Sequence, residues 1–210
     1  ATEESGLRGI GWSGDCAVFD HDGDGDSDLY IANMFGSSTL YRNDGKGHFA
    51  DVTEAVLGKT PFGGVGSRAF DYDGDGQLDL FVVDMHSDMW MPVDYDPALI
   101  EERKKYAWFF GRRMDEPGFP RQKEERFAST IRIRYSTVFF GNALYRNTEA
   151  GKFEGVSEKA NAETFWPWGV AVAAFDGNGF EDAFVPSGMG YPVFFWPSAL
   201  LMNDGKGAFA

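Results

Sequence analysis

The chain has 210 residues, 43% of them hydrophobic and 25% charged, with 27 glycines and a formal net charge of −14. That composition is globular, the acidity argues against a phosphate-backbone partner, and no run approaches the roughly 18 apolar residues of a membrane span. Residues 86–140 hold ten Lys/Arg against nine Asp/Glu, so the acid is concentrated outside that stretch.

In chain order, Ala1-Thr2-Glu3-Glu4-Ser5 has neither the basic nor the apolar region of an export signal. Trp12 stands eight residues before Asp20, and Trp166 holds the same place before the third acidic loop, so both read as packing residues. Cys16, the single cysteine, permits no internal disulfide and, in an apolar run, reads as a buried, inert thiol. Ala17 to Asn33 then reads AVFDHDGDGDSDLYIAN, an acidic loop leading into the β-prone run Leu29-Tyr30-Ile31-Ala32. His21, replaced by Tyr72 in the second copy, is expected to point outward, and His48 belongs to a turn.

A second landmark follows: Leu40-Tyr41-Arg42-Asn43-Asp44-Gly45, in which Asn-Asp-Gly signals a hairpin turn. The loop recurs from Ala69 to Asp84 and, weaker, from Ala173 to Ser187; the landmark recurs at Leu144-Tyr145-Arg146-Asn147 and Leu200-Leu201-Met202-Asn203. Loop and landmark are separated by 15 residues from Asp28 to Asn43 and by 21 from Asp182 to Asn203, but by 68 from Asp79 to Asn147. Roughly fifty inserted residues therefore lie near 86–140.

Three repeats result, at 1–52, 53–156 and 157–210, each with about four short strands, the content of one β-propeller blade. Both termini fall at the same phase of the repeat, which reads as an excerpt of a longer array truncated at both ends. The fold class is all-β, four-stranded antiparallel blades with a partly helical insertion. The helix is expected over Pro97 to Phe110, with Asp96 as its cap and Gly111 as its stop.

In the first loop Asp20, Asp22, Asp24 and Asp28 occupy positions one, three, five and nine, and Asp26 at position seven offers its main-chain carbonyl. Glycines let the backbone curl so that these oxygens converge. The second loop matches with Asp71, Asp73, Asp75, Gln77 through its carbonyl, and Asp79. Clustered carboxylates repel one another without a counter-ion, and a flexible set of oxygens suits Ca²⁺ better than Mg²⁺. An EF-hand is excluded because its twelfth position is Ile31 or Val82 and strand follows. The third loop keeps Asp176, Asn178, the Phe180 carbonyl and Asp182 but has Ala174 at position one, so two calcium sites are expected and a weak third.

No nucleophile–base order, phosphate loop or HExxH appears, which points away from an enzyme. In the insertion, Trp90, Arg103, Lys104, Trp108, Arg112 and Arg113 are candidate partner contacts; His86 at its mouth reads as a loop residue, and Trp196 as a further surface candidate. These loops and landmarks resemble the FG-GAP/VCBS repeat family, whose blades also build integrin α-subunit propellers. Residues 86–90, 141–147 and 187–192 are similar to bacterial relatives of cartilage acidic protein that often carry an ASPIC/UnbV domain. The resemblance implies a propeller of about seven blades, calcium in the matching loops, and an extracellular, periplasmic or cell-surface location. The expected function is non-catalytic recognition of a protein or glycan, or assembly with other subunits, without nucleic acid or membrane insertion. Two alternatives are a carbohydrate-active enzyme with its site in the propeller funnel and a structural subunit docking through the insertion.

Overall fold

The computed structural model describes residues 2–7, 11–34, 36–85, 137–149, 151–190, 194–195 and 197–210. The expected helix from Pro97 to Phe110 and the side chains Trp90, Arg103, Lys104, Trp108, Arg112 and Arg113, together with His86 and Trp196, lie outside the described residues.

Each acidic loop joins two antiparallel strands. In the first repeat β1 (Ser13–Phe19), β2 (Asp28–Asn33), β3 (Thr39–Asn43) and β4 (Phe49–Asp51) form a four-stranded sheet in chain order. A short helix α1 (Thr53–Val56) and β5 (Thr60–Pro61) lead to the second repeat. Its sheet comprises β6 (Gly64–Phe70), β7 (Asp79–Asp84), β9 (Ala143–Glu149) and β10 (Lys152–Gly155). β7 pairs directly with β9, Val82 opposite Ala143, so the insertion leaves and rejoins a single strand pair. At its base β8 (Val138–Phe139) lies parallel to β5, and the Phe62 and Phe140 rings meet at 5.1 Å.

The third repeat is thinner: β11 (Ala171–Ala173), β12 (Asp182–Val185) and β15 (Ala199–Leu201), with a lone Asn203–Phe209 bridge where a fourth strand stands in the others. The pair β13 (Met189–Gly190) and β14 (Phe194–Phe195) forms a separate ribbon. Among the described residues the fold is nearly all β and, apart from the β5–β8 pair, antiparallel.

Burial follows from stacking the second sheet between the other two. Strand side chains alternate in direction, so Leu80 and Val82 of β7 pack with Tyr30, Ala32 and Leu40 of the first sheet, while Phe81 and Val83 pack with Ala183, Val185 and Leu201 of the third. All six residues of β7 are accordingly buried. In β12 Ala183 and Val185 are buried and Phe184 is exposed, because only one side has a neighbour.

The first strands of successive sheets close on one another. Ser67 N–H and Arg68 Nη1 both donate to Asp15 Oδ2 at 2.9 Å, and a Cβ on Gly66 would stand 2.8 Å from Gly169 Cα and 3.0 Å from Val83 Cγ2. Gly66→Ala must push two backbones apart and should cost about 1–3 kcal/mol, whereas Gly155→Ala, with nothing within 4 Å of its Cβ, should be neutral. Chemical denaturation of the two variants checks this; equal midpoints would mean the strands are not in close approach.

Three sequence expectations are corrected. Trp166 is buried, but Trp12, one residue before the edge strand β1, is 67% exposed. Cys16 is exposed, on the β1 face opposite buried Ala17, and partial burial followed by the Asp15 charge pushes its thiol upward from the ordinary value. His21 is 2% exposed and points into the protein, as described below.

Candidate metal centres

The loops curl around their first carboxylate. Asp20 accepts Gly23 N–H through Oδ1 and Gly25 N–H through Oδ2, each at 2.8 Å. Asp71 repeats this, accepting Gly74 and Asp75 N–H on Oδ1 and Gly76 N–H on Oδ2. Such a turn needs backbone angles open mainly to glycine: Gly23 and Gly25 have φ 76° and 91°, Gly74 and Gly76 have 76° and 88°.

The curl brings carboxylates together. Asp20, Asp22 and Asp24 each place an oxygen within 4.8 Å of the others, as do Asp71, Asp73 and Asp79 in the second loop. His21, Asp22 and Asp28 form a third such group. Asp75 lies to one side, with Oδ1 accepting Gln77 N–H at 2.9 Å. Asp24 matches it by accepting Asp26 N–H at 3.0 Å, and that bond, with Arg42, holds the Asp24 carboxyl below the ordinary value. At position seven the side chains lean outward over a hairpin glycine, Asp26 over Gly45 and Phe180 over Gly205. The third loop is knit by its own amides: Asp176 accepts from Asn178 N–H and Nδ2, and Asn178 Oδ1 accepts Phe180 N–H at 2.7 Å.

Position nine has a structural duty in all three repeats. Asp28 Oδ2 accepts His21 N–H at 2.9 Å and Oδ1 accepts Asn43 N–H at 2.7 Å. Asp79 does the same with Tyr72 and Asn147, and Asp182 with Phe175 and Asn203. All three carboxylates are fully buried. Each thereby ties its loop to the strand carrying the second landmark.

Position two joins neighbouring sheets. His21 gives its carbonyl to Asn147 Nδ2 at 3.1 Å and stacks on Phe153, with centroids 6.5 Å apart and Nδ1 2.6 Å from Asp28 Oδ2. Tyr72 gives its carbonyl to Asn203 Nδ2 at 2.7 Å and packs on Phe209. The signal for this was present in the sequence, since the landmark Asn and the following Phe persist in every copy.

The landmark arginine lies against the loop. Arg42 Nε is 2.8 Å from Asp22 Oδ2 and its Nη2 is 3.2 Å from Asp24 Oδ2. Arg146 repeats the contact with Asp73 at 2.5 Å and Asp75 at 3.4 Å. Asp73 Oδ1 is nevertheless buried with no hydrogen-bond partner among the described residues. A buried carboxylate oxygen left unpaired is costly, and its place in the Asp71–Asp73–Asp79 group is what a hard cation would satisfy. The donor set, all oxygen and largely anionic, fits calcium.

Compared with known families, residues 20–82 match the model of the FG-GAP-like repeat. That span runs from position one of the first loop into β7 and so contains both complete acidic loops. No curated protein matches the chain.

Proposed function

We propose that the chain is a calcium-binding β-propeller module which recognises a protein or glycan surface, or assembles with other subunits, without catalysing a reaction. The observation that carries the calcium reading is the orphaned Asp73 Oδ1 among the Asp71 and Asp79 carboxylates. Asp20, Asp22, Asp24 and Asp28 with the Asp26 carbonyl would hold one ion, and Asp71, Asp73, Asp75 and Asp79 with the Gln77 carbonyl a second. Asp176, Asn178, Asp182 and the Phe180 carbonyl make a weaker third set. A bound ion would supply charge neutralisation, fixing the connection between the first two strands of each sheet.

The propeller reading is supported by the FG-GAP-like match and by the stacking of sheets through repeated contacts. The third sheet leaves open the face that the second covers: Phe184, Leu200 and Phe175 are 38%, 47% and 51% exposed, whereas their counterparts Phe81, Leu144 and Tyr72 are buried. A further blade or a partner subunit suits that apolar face. The kinship to bacterial relatives of cartilage acidic protein, and with it a ring of about seven blades outside the cytoplasm, belongs to this reading. The insertion, with Trp90, Trp108 and its Arg/Lys cluster, is assigned to partner contact.

A ligand that binds only the folded state adds about 2.7 kcal/mol per site at a hundredfold excess over its dissociation constant. Calcium should therefore raise the melting temperature of chelated protein and slow its proteolysis. If melting and proteolysis are the same in calcium and in EDTA, the metal reading is wrong. Polysaccharide turnover abolished by replacing one acid outside the loops would replace recognition by catalysis.

A further inference from the structure

The arginine of the second landmark is not explained by strand pairing, yet it reaches the same two loop positions in both complete repeats. Arg42 bridges Asp22 and Asp24; Arg146 bridges Asp73 and Asp75. Both arginines stay partly exposed, with side-chain exposures of 51% and 36%, so burial does not force them there. The third repeat provides an internal control. Its loop has Ala174 and Asn178 where the others have aspartate, and its landmark has Met202 where the others have arginine. Of the two carboxylates such a cation would face, the third loop keeps Asp176 at position three and has Asn178 at position five, and the arginine is absent where that second charge is lost.

From this we infer that Arg42 and Arg146 are tethered counter-cations that compete with calcium for the carboxylates at positions three and five and so set the affinity of each loop. The inference rests on the calcium reading above. In the absence of an ion the guanidinium neutralises part of the loop charge and keeps positions three and five in place. A dication entering among those carboxylates lies close to the guanidinium, and the repulsion between the two opposes binding unless the arginine swings out to water. Even at solvent-like dielectric a pair of charges +1 and +2 a few ångströms apart loses enough to weaken binding about tenfold. Arginine thus trades calcium affinity for a loop that holds its shape when the ion is absent.

The test is calorimetric titration of the whole chain with calcium chloride, comparing the parent with Arg42→Met/Arg146→Met and Arg42→Lys/Arg146→Lys. Methionine is the side chain the third repeat itself uses. The methionine variant should bind calcium about tenfold tighter and melt lower in EDTA, whereas the lysine variant, which keeps the charge, should stay near the parent. A folded methionine variant that binds calcium no tighter than a calcium-binding parent overturns this inference alone. Absence of binding by parent and variant together overturns the calcium reading, and this inference with it. If the double variant folds only with calcium present, the competition is supported. If it does not fold at all, Arg42→Met alone decides the matter at the first loop by the same comparison.

Discussion

Asp79→Ala is expected to lower stability by about 4 kcal/mol already in EDTA, before any loss of calcium binding is added. Removing the carboxylate leaves the Tyr72 and Asn147 N–H groups, 2.9 and 2.7 Å from its two oxygens, without acceptors at a fully buried site. Each stranded donor costs about 1–3 kcal/mol, which makes the sum large whatever the metal does. Asp182→Ala should behave alike, because Asp182 holds Phe175 and Asn203 N–H in a loop that has already lost its position-one carboxylate. Asp75→Ala differs in kind. Its side chain is 27% exposed and, among the described residues, bonds Gln77 N–H and Arg146, so in EDTA its loss should change stability little. In calcium it should lose the increment from the second site. Urea denaturation of the three variants with and without calcium separates the roles. A harmless Asp79→Ala in EDTA would show that position nine is not a strut.

That distinction marks what was legible in the sequence. The period of the repeat, the strand pairs flanking each loop and the place of the insertion followed from spacing alone, since spacing survives folding: β7 pairs with β9 across the inserted residues. Convergence of the aspartates was also readable, because glycines at fixed offsets dictate the curl. Position nine was read only as a ligand, although Asp182 persists in a loop that has lost the acids at positions one and five, which is consistent with a duty apart from metal. His21, Trp12 and Cys16 were misplaced for a different reason. Whether a given side chain on a strand or loop is buried depends on the neighbouring sheet, and no periodicity within one repeat encodes that neighbour. His21 is covered by Phe153, 132 positions further along the chain, while Trp12 and its repeat-mate Trp166 differ in exposure because they meet different surroundings.

Calcium affinity at the second loop should rise about thirtyfold between pH 5.5 and pH 8 and then level off. Burial pushes the Asp79 carboxyl from its ordinary 3.8 up to about 7; the Asn147 and Tyr72 N–H groups pull it down, and the Asp73 and Asp75 charges push it further up. The metal-free folded protein therefore keeps a proton there that the unfolded chain has released. Between about pH 4 and 7 the folded state binds more protons, so this group's contribution to stability is greatest below about 4 and is lost as the pH rises through 7. On the calcium reading proposed above the ion would take the place of that proton, and a carboxyl titrating near 7 is only a few per cent ionised at pH 5.5, which sets the thirtyfold factor. The stabilisation calcium brings should grow over the same interval in which the metal-free protein weakens. Calorimetry on Asp20→Ala, in which the first loop is disabled, isolates the second site. Repeating it at pH 6 in two buffers of different ionisation enthalpy counts the released proton. Uptake of calcium with no proton release, at an affinity independent of pH over this range, would mean that Asp79 is already ionised in the metal-free fold. The burial of its carboxylate would then be fully compensated by the two main-chain donors, and the strut would carry its charge at neutral pH without an ion.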